Sequence, residues 1–304
     1  MIIAECIEQL IRQFDEADLC YGHGTDNARD EAAWLVLHVV GASLDGDFND
    51  WGRVVTDTEL LEVNRLARSR CESRLPLAYV LGVAWFAGLE FEVDENVLVP
   101  RSPLAELILQ QYRPWIEPGR VGRILDMCTG SGCIAIASAL HMPGVQVDAA
   151  DISRKALEVA RRNAERHRLA DRVTLIESDL FNSIPACRYD LIVANPPYVP
   201  AQSVRDLPAE YRGEPDLGLA SGGDGLDAVL SILVDAPDFL DEDGVLVCEV
   251  GESEHRLAAA LPDIPFLWLE FEHGGSGVFV LTKDQLEEAR ADLAVIIGER
   301  RDVV

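Results

Sequence analysis

The sequence has little lysine, no paired cysteine motif and no long apolar run, and each shortage argues against a class of protein. Its only lysines are Lys155 and Lys283, and 53 Asp and Glu residues against 26 Lys and Arg residues give a net charge of −27. That charge repels phosphate backbones, which argues against a stand-alone nucleic-acid-binding protein and direct DNA binding. It attracts a basic protein partner, although a generally acidic proteome, as in salt-tolerant organisms, explains it equally well.

The cysteines and the first residues argue against a metalloprotein and a membrane protein. The seven cysteines show no C-x-x-C pair and no His/Cys spacing suited to zinc, so we expect reduced, partly buried thiols and no metal. No apolar run approaches the roughly 20 residues of a membrane span. Glu5 stands where a signal peptide needs basic residues, and Ile3, Ile7 and Leu10 recur at helical spacing. We expect a cytoplasmic protein that begins with an amphipathic helix.

The chain is long enough for two domains, and its patterns change twice. Residues 1–75 read as a helical domain, with later helices from Asp30 to Val40 and from Thr56 to Arg70 and with Thr56 or Thr58 as an N-cap. Residues 76–100 alternate apolar and polar side chains about Gly88, which predicts a hairpin linker. Residues 101–304 form the third predicted segment.

From Gly122 onward, apolar strands alternate with amphipathic helices. Strands are predicted over 123–127, 145–150, 173–177, 189–194 and 244–250, helices over 133–141, 153–167, 224–240 and 253–261, and an antiparallel edge hairpin over 266–272 and 277–282. This alternation predicts an α/β fold with a seven-stranded, mostly parallel sheet covered by helices on both faces. The aperiodic stretch of about 25 residues between Tyr198 and Asp224 is expected to line an active site.

The first chemical motif is a buried strand that runs into the turn Asp126-Met-Cys-Thr-Gly-Ser-Gly132 and then a helix. Gly130 and Gly132 allow a close backbone approach, and the helix start presents N–H groups to a polar ligand. Asp151 ends the next strand, where a carboxylate can accept both ribose hydroxyls. These features fit either NAD or S-adenosylmethionine.

Two details favour S-adenosylmethionine. Ala135 stands where a dinucleotide fingerprint has its third glycine. Asp126 suits a cofactor that carries an ammonium and a sulfonium, whereas it would repel a pyrophosphate. Farther along, Asp179-Leu180 follows the third strand and is expected to line the adenine end of the cofactor, unless Asp179 is only a solvated turn residue.

The second motif, Asn195-Pro196-Pro197-Tyr198, follows the fourth strand of the predicted sheet. An amide or adenine nitrogen is a poor nucleophile because its lone pair is delocalised. The Asn195 side-chain oxygen and the Pro196 carbonyl can hold both hydrogens of an NH₂ group and favour a pyramidal nitrogen. The prolines fix the turn, and Tyr198 can close over the planar group. The motif therefore predicts methyl transfer to such a nitrogen.

In combination these motifs resemble the protein N(5)-glutamine methyltransferases of the HemK/PrmB family. The resemblance runs from about residue 30 to residue 290 and includes Val99-Pro-Arg-Ser-Pro, Glu214-Pro-Asp-Leu-Gly-Leu-Ala-Ser-Gly and Cys248-Glu-Val-Gly. It is stronger to the branch that methylates a glutamine of large-subunit ribosomal protein L-three. The sibling branch, which acts on peptide-chain release factors, reads Pro-Arg-Pro-Asp-Thr-Glu near Arg101 and usually has glycine in place of Cys128.

The resemblance implies a Rossmann-like S-adenosylmethionine-dependent methyltransferase domain over residues 101–304 and a substrate-recognition role for residues 1–75. It implies cofactor contacts from Asp151, Leu180, Asn195 and the loop formed by Cys128, Thr129, Gly130, Ser131 and Gly132. Asn195 to Tyr198 would hold the glutamine amide, and the basic ribosomal protein would be the partner.

Other interpretations remain open from the sequence. Adenine amino methylation of nucleic acid uses the same nitrogen chemistry, release factors are an alternative protein substrate, and a noncatalytic protein could use the cofactor only for stability. Arg101 could bind the substrate peptide or the cofactor carboxylate, or form an ion pair that joins the domains.

Overall fold

The computed structural model describes residues 1–42 and 48–301. The chain divides into two compact units. Unit 1 comprises Met1–Glu95, Val99–Arg101 and Leu207–Glu214, and unit 2 comprises Asn96–Leu98, Ser102–Asp206 and the described residues from Pro215 onward. The three-part division inferred from the sequence stays a prediction. By its contacts, the predicted hairpin linker groups with the helices of unit 1, except for Asn96–Leu98.

Unit 1 is a group of helices followed by a small hairpin. Its helices are α1 (Ile3–Glu16), α2 (Ala28–Val40), α3 (Asp57–Ser73) and α4 (Leu77–Leu81), and its strands are β1 (Val83–Phe86) and β2 (Leu89–Glu92). The apolar positions of α1 are buried, including Ile3, Leu10 and Phe14. Thr56 is the N-cap of α3 and forms a capping box with Glu59. The strands β1 and β2 pair antiparallel.

Unit 2 contains a seven-stranded mixed sheet. Its strands are β3 (Arg123–Met127), β4 (Gln146–Asp151), β5 (Val173–Glu177), β6 (Tyr189–Ala194), β7 (Leu240–Glu249), β8 (Leu267–Trp268) and β9 (Val278–Thr282). The spatial order is β5-β4-β3-β6-β7-β9-β8. The first five strands are parallel, and β9 pairs antiparallel with both β7 and β8. The predicted mixed sheet with an antiparallel edge is confirmed.

Helices cover both faces of this sheet, as predicted. The helices of unit 2 are α5 (Leu104–Leu109), α6 (Cys133–His141), α7 (Arg154–Arg166), α8 (Asp216–Leu219), α9 (Asp227–Asp235), α10 (Glu254–Ala260) and α11 (Lys283–Arg301). Leu125 lies in one core cluster with Leu230 of α9 and Leu286 of α11. Alternate strand residues such as Ile124 point to the other face, and α6 and α7 contact β3, β4 and β5.

Some element bounds differ from the sequence-based expectations. Strand β7 begins at Leu240, four residues before the predicted Gly244, and α9 is shorter than the predicted 224–240 helix. The predicted 266–272 strand is only the two-residue β8. Across the described residues, no helix combines the length and apolar character that membrane crossing requires.

Candidate active site

The sequence motifs meet at one edge of the unit 2 sheet. Strands β3, β4, β5 and β6 are parallel neighbours, so their carboxyl ends share an edge. Met127 is in register with both Ala150 and Ala194, so the turn after β3 begins beside Asp151 and Asn195. This is the edge at which open α/β sheets bind ligands.

The turn after β3 depends on two glycines that have different surroundings. Both have positive φ, +55° at Gly130 and +80° at Gly132. A Cβ at Gly132 would lie 3.1 Å from Ala160 Cβ, so this glycine lets the turn pack against α7. A Cβ at Gly130 would meet no atom within 4 Å, so Gly130 leaves open space beside the turn. Cys128 is also left-handed, with φ +62°.

Asp151 fastens this turn to the end of β4. Its Oδ2 accepts the Gly130 N–H at 2.9 Å, and its Oδ1 accepts the Ser153 N–H at 2.8 Å. Burial raises the pKa of Asp151, and the backbone N–H donors partly oppose that rise. Each carboxylate oxygen can accept a second hydrogen bond, so Asp151 can hold the turn and still accept from a ribose.

Asp126 lies beneath the turn, with no exposed surface. Its Oδ2 accepts from the Thr129 hydroxyl at 2.5 Å and from the Ala135 N–H at 3.0 Å, which ties the turn to the start of α6. Its Oδ1 is buried and accepts no hydrogen bond from the described residues. Burial raises the pKa of Asp126 to about 7, and the two donors only partly oppose it. A nearby cation would stabilise this incompletely compensated carboxylate.

The third acid of the predicted site is Asp179, which follows β5 and is exposed. Leu180 next to it is left-handed, with φ +46°, and its carbonyl accepts from the Ser178 hydroxyl at 2.5 Å. The pKa of the Cys128 thiol is raised well above its ordinary value, first by burial and then by several nearby groups, Asp151, Asp126 and Asp179 among them. The three acids therefore lie around one turn.

The site suits a cofactor that is cationic at one end and carries a ribose. It offers three acids, a glycine turn with open space beside it, and the buried Oδ1 of Asp126. The structure brings Asp126, Asp151 and Asp179 into electrostatic range of the turn that contains Thr129 and Ser131, and both of these side chains are buried. The residues present thus fit S-adenosylmethionine. Within 1–42 and 48–301, no cluster of three or more metal-ligating side chains occurs.

The Asn195-Pro196-Pro197-Tyr198 loop begins directly after β6. Asn195 is half-buried. Among the described residues, none donates a hydrogen bond to the Asn195 side chain or to the Pro196 carbonyl. Two acceptors that the protein does not use therefore stand at this sheet edge.

Tyr198 is held by residues that sequence reasoning did not single out. Its carbonyl accepts from the Ser253 hydroxyl at 2.7 Å. Its hydroxyl lies 3.4 Å from Oε1 of Glu249, the last residue of β7. The other oxygen of Glu249, Oε2, accepts from the Ser102 hydroxyl at 2.5 Å. The only sequence signals were the Cys248-Glu-Val-Gly and Pro100-Arg-Ser-Pro stretches that carry the resemblance.

Both ends of the segment after Tyr198 lie side by side, and its expected place at the rim of the site stays a prediction. Val199 and Ala220 form an isolated parallel β-bridge, and the Ala201 N–H donates to the Gly222 carbonyl at 3.0 Å. Between these contacts the chain leaves unit 2 and contributes Leu207–Glu214 to unit 1.

Two buried acids hold the segment Leu207–Glu214 in unit 1. Glu210 Oε1 lies 2.7 Å from Arg74 and accepts the Cys20 N–H at 3.0 Å. Glu214 receives both terminal nitrogens of Arg101, at 2.6 and 2.7 Å. Of the roles open for Arg101, the structure shows an ion pair, and both partners belong to unit 1.

Known proteins of two kinds, curated relatives and solved structures, resemble this chain. Residues 106–210 match the family described as "Methyltransferase small domain". The ribosomal protein uL3 glutamine methyltransferase of Xanthomonas campestris pv. campestris is 48% identical over 98% of this chain and 96% of its own length. The enzyme of the same name from Neisseria meningitidis serogroup A is 46% identical over 93% of this chain and 94% of its own length. A crystal structure of a methyltransferase from Pyrococcus furiosus matches with 20% identity and a TM-score of 0.47, covering 64% of this chain and 89% of that one.

Proposed function

The chain belongs to the ribosomal protein uL3 glutamine methyltransferases, and from this premise we propose that it methylates a glutamine side-chain nitrogen of uL3, the ribosomal protein L-three. It is an S-adenosylmethionine-dependent protein-(glutamine-N5) methyltransferase by that membership. The residue roles below are part of the proposal.

The observation that carries these roles is the pair of unused acceptors after β6. The Asn195 side-chain oxygen and the Pro196 carbonyl accept no hydrogen bond from the described residues. A primary amide presents two hydrogens in one plane, and two adjacent acceptors can hold both. With its hydrogens held, the nitrogen is favoured in a pyramidal form whose lone pair is available.

The remaining loop residues would keep this arrangement fixed. Pro196 and Pro197 restrict the backbone, so the acceptors do not move when the substrate arrives. The Tyr198 ring would cover the plane of the amide. The cofactor supplies an electrophilic methyl group on its sulfonium. The excess proton of the methylated nitrogen leaves to water, and no general base is assigned.

The turn after β3 and its neighbouring strand ends would hold the cofactor. Asp151 would accept from the ribose hydroxyls, Asp179 and Leu180 would line the adenine end, and Asp126 would act through its charge beneath the turn. The remaining contacts with the cofactor would come from Asn195 and from the loop residues Cys128, Thr129, Gly130, Ser131 and Gly132.

The charge of the chain supports a basic protein substrate. A net charge of −27 attracts a basic ribosomal protein and repels RNA or DNA. In this proposal unit 1 helps to choose the substrate, and the enzyme acts in the cytoplasm, where ribosomal proteins are made.

A labelling experiment with three candidate substrates tests the function. Purified enzyme is incubated with labelled S-adenosylmethionine and unmethylated uL3, unmethylated release factor or total RNA, and mass spectrometry locates the added methyl. We expect label on a glutamine of uL3 alone. Label on the release factor would overturn the substrate, label on RNA would overturn the charge argument, and no label would favour a noncatalytic binding protein.

A further inference from the structure

Glu249 occupies a defined place beside the Asn195–Tyr198 loop. It ends β7, and the register of Ala194 with Cys248 puts it next to Asn195 at the sheet edge. Glu249 is only 4% exposed, and its two carboxylate oxygens lie near two different hydroxyl groups. Burying a carboxylate is costly unless hydrogen bonds compensate for it, so these two hydroxyl groups help to hold Glu249 at this position.

The two hydroxyl contacts are unequal. Ser102 donates to Oε2 at 2.5 Å, and its own oxygen accepts the Leu104 N–H at 3.1 Å, so this side is anchored to the start of α5. The Tyr198 hydroxyl lies 3.4 Å from Oε1, which is long for such a bond. Hydrogen bonds in a catalytic site often tighten when substrate binds. Ser102 thus fixes the orientation of the Glu249 carboxylate, and the hydrogen bond from the Tyr198 hydroxyl to it can shorten.

Glycines allow the backbone to approach Tyr198 closely. A Cβ at Gly251 would lie 2.7 Å from Tyr198 Cε2, so the ring rests on the Gly251 backbone. A Cβ at Gly225 would collide with the Tyr198 carbonyl, and one at Gly277 would collide with the Gly251 carbonyl. The Tyr198 carbonyl is also held by Ser253. The ring is therefore confined by backbone on one side and directed by Glu249 at its hydroxyl.

We propose that Glu249 is a positioning residue for methyl transfer: held by Ser102, it fixes the orientation in which the Tyr198 ring meets the glutamine amide. This inference rests on the proposed function of the Asn195–Tyr198 loop. Glu249 acts through Tyr198, and the transferred methyl and the released proton do not pass through it. Its effect should appear in kcat, because a misplaced ring weakens the arrangement only when the nitrogen must react.

Substitutions at Glu249 separate this role from others. Glu249→Ala should lower kcat about 100-fold, as expected for a misplacement near the reacting group, with an unchanged Kd for S-adenosylmethionine. Glu249→Gln retains an acceptor oxygen of the same shape and should restore kcat close to that of the natural protein. The exposed Glu252, three residues along, provides the matched control, and Glu252→Ala should not change kcat.

A second pair of variants moves the ring without removing a charge. Gly251→Ala places a methyl against Tyr198, whereas Gly274→Ala places one in open space at a position that also has positive φ. Only Gly251→Ala should lower kcat. Tyr198→Phe should also lower kcat, and its combination with Glu249→Ala should be no worse than the single changes, because both remove one interaction.

The outcomes are distinguishable. If Glu249→Gln were as inactive as Glu249→Ala, the charge itself would be required and the positioning role would be wrong. If Glu249→Ala only lowered the Tm while kcat stayed normal at a permissive temperature, Glu249 would be merely structural. If Asn195→Ala kept full turnover, the proposed function of the loop would fail first. An inactive Asn195→Ala beside a fully active Glu249→Ala would overturn the positioning role alone.

Discussion

Glu214 and Arg101, 113 residues apart in the chain, form a two-pronged ion pair inside unit 1, with distances of 2.6 and 2.7 Å. Glu214 Oε1 also accepts the Val99 N–H at 3.0 Å, and His23 Nε2 lies 3.4 Å from Oε2. Burial alone would raise the pKa of Glu214, but hydrogen bonds and charge from His23 and Arg101 outweigh it and lower the pKa to about 2. The pair therefore stabilises the charged carboxylate of a buried side chain.

Arg101→Ala should lower the free energy of unfolding by about 3 to 5 kcal/mol at neutral pH, because it leaves a buried charge without its partner. A Glu with a lowered pKa contributes stability above its ordinary pKa of 4.5 and loses it as the pH falls towards 2. The difference from the natural protein should therefore shrink over that acid range. Arg113→Ala, which removes an exposed pair with Glu117, is the control and should cost about 0 to 1 kcal/mol. Equal losses in guanidinium unfolding would contradict the role of burial.

Asp126 should give the protein the opposite pH dependence. Because its pKa is raised from 3.8 to about 7, the folded state holds the proton more tightly than the unfolded chain between these values. The free energy of unfolding should therefore fall as the pH rises through this range. Asp126→Asn cannot titrate, so it should remove that part of the slope when stability is measured without cofactor. A slope identical to that of the natural protein would mean that Asp126 does not titrate there.

Asn195→Ala should lower kcat about 100-fold to 1,000-fold, the usual loss when one preorganised polar group is removed from a reaction centre. The Kd for S-adenosylmethionine should change little, since the loss falls on the substrate amide. Asn182→Ala, an exposed site in the same unit, is the control. Calorimetry that showed lost cofactor affinity would instead assign Asn195 mainly to cofactor binding.

Asp151→Ala should do the reverse of Asn195→Ala. Removing the acceptor of charged hydrogen bonds should weaken S-adenosylmethionine binding by about 1 to 3 kcal/mol, while saturating cofactor should restore much of the turnover. Asp171→Ala removes the same charge from an exposed position and should leave binding unchanged. An unchanged Kd in Asp151→Ala would exclude the ribose role.

The two glycines of the turn after β3 should respond differently to alanine. Gly132→Ala adds a methyl 3.1 Å from Ala160 Cβ to a left-handed residue, so overpacking of about 1 to 3 kcal/mol should add to backbone strain and lower the Tm. Gly130→Ala carries the backbone strain alone, because its methyl meets no protein atom. Its main effect should be weaker cofactor binding in calorimetry. Equal Tm losses with equal affinities would contradict this division.

The sheet was largely predictable because its information is local. Buried strands such as 123–127 and 189–194 are short apolar runs with polar residues at their ends, and the side chains that follow parallel strands must meet at one edge. Helix α11 escaped prediction although its sequence carried a signal, since Leu286, Ala289 and Leu293 recur at helical spacing and are buried.

The partners of the site residues were not predictable in the same way. Ser102 and Glu249 are 147 positions apart, and no local pattern connects a serine before α5 with an acid at the end of β7. The complete burial of Asp126 could not be predicted from the sequence either, because an acid at the end of a strand can face either a ligand or the packed start of a helix. Only the three-dimensional fold decides between them.

The excursion of Leu207–Glu214 into unit 1 has a consequence for synthesis of the chain. The first 95 residues emerge from the ribosome long before Glu210 and Glu214 do, so Arg74 must wait for an acid that is made more than a hundred residues later. Domains usually fold as units in order of synthesis. Here unit 1 cannot complete its interior until the Asn195–Tyr198 loop has already been translated. The interior of unit 1 is therefore completed only at a late stage of translation.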